Sequence, residues 1–171
     1  CNTYRPKDWL KHLSLDESIN LTDTVLNEVK PNVGFFIIFN GDTKGCVSEK
    51  LKPTIDCLKN QDIPPKYVAV INNKVEYNED IHELLISSFD EQQTHTHVVQ
   101  MLYQPEILEA VIDEAFTHAK NGWAYVCNAG EDIDKNLITK IHKRINLDMK
   151  KLVVIEPYEG TLNGLLFQAA L

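Results

Sequence analysis

The sequence predicts an α/β domain built on a mostly parallel sheet flanked by helices. Three observations carry this. Gly34-Phe35-Phe36-Ile37-Ile38-Phe39 and Tyr67-Val68-Ala69-Val70-Ile71 are short unbroken apolar runs, the signature of strands buried on both faces. Between them, Val47, Leu51, Ile55 and Leu58 recur at spacings of four, four and three, which lines one face of a helix. The same alternation continues downstream. A strand, a helix and a second strand make a parallel pair with a right-handed crossover, and repeating that unit gives a layered α/β architecture.

Residues 1–31 read as an N-terminal helical arm or linker. Trp9, Leu10 and Leu13 lie at helical spacing, as do Leu21, Val25, Leu26 and Val29. Thr22 or Asp23 can cap the second segment, and Pro31 ends it because the residue before a proline avoids helix. The arm is expected to pack on the domain or link to something upstream; the sharper alternative is an element that binds a protein partner. Residues 32–171 form the main domain. Pro53 either starts the first helix or bends it, and Pro64-Pro65 turns the chain into the second strand. Val98-Val99-Gln100-Met101-Leu102 is the third strand. Pro105 opens a helix with Leu108, Val111, Ile112, Ala115 and Ala119 on one face, and Gly122 follows its end. Trp123-Ala124-Tyr125-Val126-Cys127 is a strand, Asp134 can cap a helix carrying Leu137, Ile138, Ile141 and Ile145, and Leu152-Val153-Val154-Ile155 is a further strand. The chain starts at Cys1 and stops within the apolar residues 164–171, so it is expected to be a piece of a longer protein and the domain to be C-terminally incomplete.

Composition narrows the function. Lys plus Arg is 17 against 25 Asp plus Glu, giving a net charge of −8 and a pI of about 5.2. Such a chain is a poor binder of nucleic acid or anionic membrane. No apolar run approaches the roughly 18 residues of a bilayer span. Four cysteines without a Cys-x-x-Cys pair point to a reducing compartment, hence a cytoplasmic location or a place in a larger assembly. Cys57 and Cys127 read as small buried hydrophobes. The sequon Asn20-Leu21-Thr22 has no secretory signal to support it, since Arg5-Pro6-Lys7-Asp8 is followed by no apolar core.

In parallel sheets, ligands sit beyond the carboxyl ends of the strands. Here those ends are Phe39-Asn40-Gly41-Asp42, Asn72-Asn73 and Asn128-Ala129-Gly130-Glu131-Asp132. Residues 40–45 lack phosphate-loop spacing and read as a strand-to-helix loop on the ligand side. No Ser/His/Asp order, P-loop or Gly-x-Gly-x-x-Gly occurs, so hydrolase, ATPase and classical dinucleotide readings fall away. His95-Thr96-His97 puts two imidazoles on one side of a strand. With no third ligand at a supporting spacing, it reads as the polar start of that strand. His118 and His142 fall on polar helix faces and are expected to be solvated.

Three stretches in the same order resemble family-2 type glycosyltransferases, which have the GT-A fold. Residues 35–73 are similar to the family's opening, in which a strand leads to a helix ending Asn60-Gln61 and then to a second strand. Residues 109–123 resemble the helix that precedes the metal-site strand, and residues 125–137 resemble that strand, its acidic loop and the next helix. The resemblance covers residues 33–156. It implies a GT-A-like domain related to transferases that use a nucleotide sugar, with Phe39, Asn40, Asn72 and Asn73 at the nucleotide. The family holds Mn²⁺ or Mg²⁺ on the diphosphate with Asp-x-Asp, so that the metal offsets leaving-group charge. Asn128-Ala129-Gly130 stands there in this chain, with Glu131 and Asp132 adjacent as carboxylates. The family's acidic pair at the second strand is Asn72-Asn73, which can hydrogen-bond but carries no charge. The family's general base, which takes the acceptor's proton, usually lies further along the chain; in the remainder of this sequence Glu156 and Glu159 are the candidates, and in a longer protein the base can lie beyond Leu171. Loss of both acidic signatures implies a degenerate domain serving binding or assembly; the alternative is an active transferase.

Overall fold

The computed structural model describes residues 32–40, 47–73, 79–101, 107–118, 122–147, 153–155 and 162–169. The arm of residues 1–31, the loop at 41–46, and Glu156 and Glu159 lie outside the described residues. Strand β1 (Val33–Phe39) is buried along its whole length. Phe35, Ile37 and Phe39 pack into one core, and Phe36 and Ile38 into another. Alternating side chains therefore meet apolar layers on both faces, which is why the run carries no polar residue.

A π-helical turn, Val47–Leu51, leads into helix α1 (Lys52–Lys59). Pro53 sits just past the π-helical turn, at the start of α1, so the proline stands where the π-turn gives way to α-helix. Strand β2 (Tyr67–Asn72) pairs parallel with β1, matching Phe39 to Asn72. Helix α2 (Glu79–Ser88) adds an element to those expected from the sequence. Its buried Ile81 and Leu85, with Leu84 packed beside them, have helical spacing. Strand β3 (His95–Gln100) begins ahead of the expected Val98, and His95 opens it. Helix α3 (Ile107–His118) buries Val111 and Ala115. Strand β4 (Gly122–Asn128) takes Gly122 as its first residue. Helix α4 (Leu137–Leu147) follows, with Ile138, Ile141 and Ile145 buried. Strands β5 (Val153–Ile155) and β6 (Leu166–Ala169) complete the sheet.

The six-stranded sheet has the order β3-β2-β1-β4-β6-β5. β1, β2, β3 and β4 are mutually parallel, and β6 runs antiparallel to both β4 and β5. The mostly parallel α/β architecture expected from the sequence is therefore present, with β6 as the one reversed strand. Within the apolar run near the end of the chain, Leu166–Ala169 forms that strand, inserted between β4 and β5. Helices α1, α2 and α4 pack on one face of the sheet, and α3 covers the other together with Leu165 and Phe167. Among the described residues, no helix is long and apolar enough to cross a membrane.

Candidate functional site

β1 lies between β2 and β4. The chain builds outward from β1 to β2 and β3, then crosses to β4 on the other side. That reversal is a topological switch point, and the crevice beyond the strand ends there is where open parallel sheets take ligands. The three ends are held level. Asn73 donates its N–H to the Phe39 carbonyl at 3.0 Å, and Ala129 donates to the Ile38 carbonyl at 2.9 Å. At two strand spacings, the rim they form is about 10 Å wide.

The sequence candidates divide at this rim. Phe39 is buried in the core shared with α1, so it supports the rim from below. Asn72 is fully buried, and its Nδ2 donates to Gln100 Oε1 at 2.9 Å, joining β2 to β3. Asn40 and Asn73 are exposed, and Nδ2 of Asn73 donates to Oδ1 of Asn40 at 2.9 Å. The fold thus brings Asn40 and Asn73 together as an open amide pair and places Phe39 and Asn72 inside.

The loop after β4 is built as a tight turn. The Glu131 N–H donates to the Asn128 carbonyl at 3.2 Å, and Gly130 has φ +95°, the conformation a type II turn needs at its third position. A side chain at Gly130 would meet no atom within 4 Å, so backbone conformation, not space, calls for glycine here. Gly130 donates its N–H to Thr54 Oγ1 at 2.9 Å. Asn128 donates its N–H to Asn163 Oδ1 at 3.0 Å. Asn128 is half-buried, whereas Glu131 and Asp132 are exposed carboxylates at the mouth of the loop.

Beneath the loop, burial pushes the Cys127 thiol up to about 12, with the negative charge of Glu131 adding to the effect. A thiol held protonated is neither a nucleophile nor a metal ligand at neutral pH. Its neighbour Tyr125 is likewise raised to about 12, chiefly by burial.

Glu131 and Asp132 do not cap α4. That task falls to Asp134, as the sequence suggested. Its carboxylate accepts the Asn136 N–H at 2.8 Å, its carbonyl accepts the Leu137 N–H at 3.0 Å, and it pairs with Lys140. The Lys140 hydrogen bond, then the Asn136 N–H, hold its carboxyl below the usual range.

Sequence reasoning missed the groups that fix this loop. Thr54 is fully buried on the apolar face of α1, between Leu51 and Leu58. A hydroxyl on an otherwise apolar stripe was the available signal, since a buried polar group needs a partner. Gln61, just past the end of α1, is the other such group. It is buried, and its Nε2 donates to the Asp134 carbonyl at 2.6 Å and the Cys57 carbonyl at 3.2 Å, while its Oε1 accepts the Ile138 N–H at 3.3 Å. It clamps the end of α1 to the start of α4. Cys57 is only partly buried, less than expected, and Cys127 is buried as expected.

Comparison with protein-family models and with curated proteins finds no match for the chain.

Proposed function

We propose that the chain is a glycosyltransferase-like domain of the GT-A type whose transfer site is degenerate and which serves binding or assembly, taking a nucleotide at its rim without a metal ion. The observation that carries this reading is the level ending of β2, β1 and β4 at the switch point, with the exposed amides of Asn40 and Asn73 on it. The β3-β2-β1 half of the sheet has the order of a mononucleotide-binding unit, with β4 across the switch point from it. Amides suit the edges of a base or the hydroxyls of a ribose, being donor and acceptor at once. The β4 loop supports the loss of metal chemistry. Where a pair of carboxylates would hold a divalent ion, this chain has a half-buried amide at Asn128 and no side chain at Gly130. The Gly130 and Asn128 N–H groups are already committed to Thr54 and Asn163.

One observation favours the second reading, an active transferase moving a sugar from a nucleotide donor. Glu131 and Asp132 are both exposed beside that loop, and two carboxylates could carry Mn²⁺ or Mg²⁺ against a diphosphate. Thermal unfolding with a panel of nucleoside diphosphates and nucleotide sugars, with Mn²⁺ or with chelator, separates the two. A ligand at a hundred times its Kd stabilises the folded state by about 2.7 kcal/mol, a rise of roughly 5–10 °C for a domain this size. The binding reading expects that rise in chelator. A rise seen only with Mn²⁺, and lost in the E131Q/D132N double variant, supports the transferase instead. No rise with any nucleotide overturns the nucleotide site in both readings and leaves a role in binding or assembly that does not involve a nucleotide.

A further inference from the structure

A second cluster lies at the opposite end of the sheet from the rim. His95 and His97 alternate with Thr96 along the edge strand β3, and their register partners on β2 are Tyr67 and Ala69. Tyr67 and Ala69 belong to the core that α3 covers, so both imidazoles stand on the α3 side. α3 finishes there. Glu114 and His118 are one helical turn apart and flank the buried Val111 and Ala115. The fold therefore supplies partners that spacing did not show: Glu114 and His118 join His97, and His95 stays outside the set. His97 Nε2 lies 3.8 Å from Glu114 Oε2, and His118 Nε2 lies 3.5 Å from the same oxygen. The three ligand atoms all fall within 4.8 Å of one another.

We infer that His97, Glu114 and His118 form a binding site for one divalent transition-metal ion of the Zn²⁺ class. Ligands about 2.1 Å from a tetrahedral zinc stand about 3.4 Å apart, close to both separations in the cluster. Two imidazoles and a carboxylate suit zinc and its neighbours, whereas Mg²⁺ and Ca²⁺ prefer oxygen alone. Three protein ligands leave a fourth position for water. Solvent has access to it, since the side chains of His97 and His118 are 43% and 31% exposed. Glu114 is more enclosed at 19% and is oriented from behind. The Tyr67 hydroxyl donates to Glu114 Oε2 at 3.4 Å, the kind of outer hydrogen bond that fixes a metal-binding carboxylate. The Tyr67 ring stacks on His118 with centroids 5.5 Å apart and on His95 at 5.4 Å, which restrains the imidazole. A bound ion would tie the edge strand to the end of α3. It does not depend on the rim or on what the rim binds.

The test is a Zn²⁺ titration against a chromophoric chelator, using protein whose reactive thiols have been alkylated in the folded state. The expected result is one ion per chain with micromolar or tighter affinity, no competition from Mg²⁺ or Ca²⁺, and the visible absorption of a tetrahedral site when Co²⁺ is used. H97A and H118A should each weaken binding at least tenfold, Y67F by a few-fold, and H82A, on the exposed side of α2, should leave it unchanged. Far-UV circular dichroism confirms that each variant is folded, and H118A stands in should H97A disturb β3. No Zn²⁺ uptake at micromolar metal overturns the inference. So does uptake that survives both H97A and H118A, which would leave the cluster as ordinary ion pairs.

Discussion

Thr54 Oγ1 accepts the Gly130 N–H at 2.9 Å and lies 3.5 Å from the carbonyls of Lys50 and Glu131. One buried hydroxyl thus links the start of α1 to the turn after β4. Thr54→Val keeps the shape and removes the acceptor. Leaving a partly buried donor unsatisfied costs about 1–2 kcal/mol, so the melting temperature should fall by roughly 2–8 °C, and Thr54→Ser should restore most of it. A Val variant as stable as the parent would mean that the turn does not need this bond. Cys127 gives a second check at this scale. Its thiol is buried and raised by desolvation, so iodoacetamide followed by mass spectrometry should leave it unmodified until the chain is unfolded. Cys57, partly exposed on α1, should react before Cys127 does. At the residue scale the sequence was least legible. Asn40, Asn72 and Asn73 look alike as a string, yet only the sheet decides that Asn72 is fully buried and tied to Gln100 while the other two face solvent.

Among the elements, apolar runs and helical spacing placed β1, β2, β4, α1, α3 and α4, because each strand buries its run against both of two continuous cores and each helix its stripe against one. α2 carries the same signal in Ile81, Leu84 and Leu85, but its apolar stripe is short and set among charged and polar residues, so the periodicity is weak. β6 shows in the sequence only as a short apolar stretch. Of its partners, β5 directly precedes it but β4 lies well back in the chain, and no local pattern encodes a reversed strand inserted between them. The entry of the chain into α4 was legible through Asp134, and it makes a prediction about acid. The carboxyl is held low by Lys140 and then by the Asn136 N–H. A folded-state pKa below the unfolded one contributes stability at neutral pH, which is lost as pH falls below the unfolded value of about 3.9 towards the lowered one. Asp134→Asn removes the titration, so its melting temperature should fall less steeply than the parent's across that acid range. Parallel profiles would show that this exposed pair contributes nothing measurable, the common result for surface ion pairs.

At the scale of the whole molecule, two apolar layers enclose one sheet. The switch point between β1 and β4 follows from strand order, not from any single motif. This is why the general position of a site was readable from the ends of three predicted strands while its chemistry was not. The strand ends fixed where polar residues would gather. Which of them remain open depended on contacts from Gln100, Thr54 and Asn163, residues far away in sequence. The His97, Glu114 and His118 cluster shows the same limit. The sequence displayed two histidines on a strand, and the packing of α3 over the edge of the sheet supplied the rest.

The central claim is that the amide pair on the rim holds a nucleotide without metal. Calorimetric titration in chelator tests it most directly, using the nucleoside diphosphate that gives the largest thermal shift, on the parent and on Asn73→Ala. Asn73 is exposed, so the substitution leaves the core intact. The account predicts binding to the parent in chelator and a weakening of about three- to tenfold in the variant, the loss of about one hydrogen bond. Binding that requires Mn²⁺, or that is equally tight in both proteins, would contradict it.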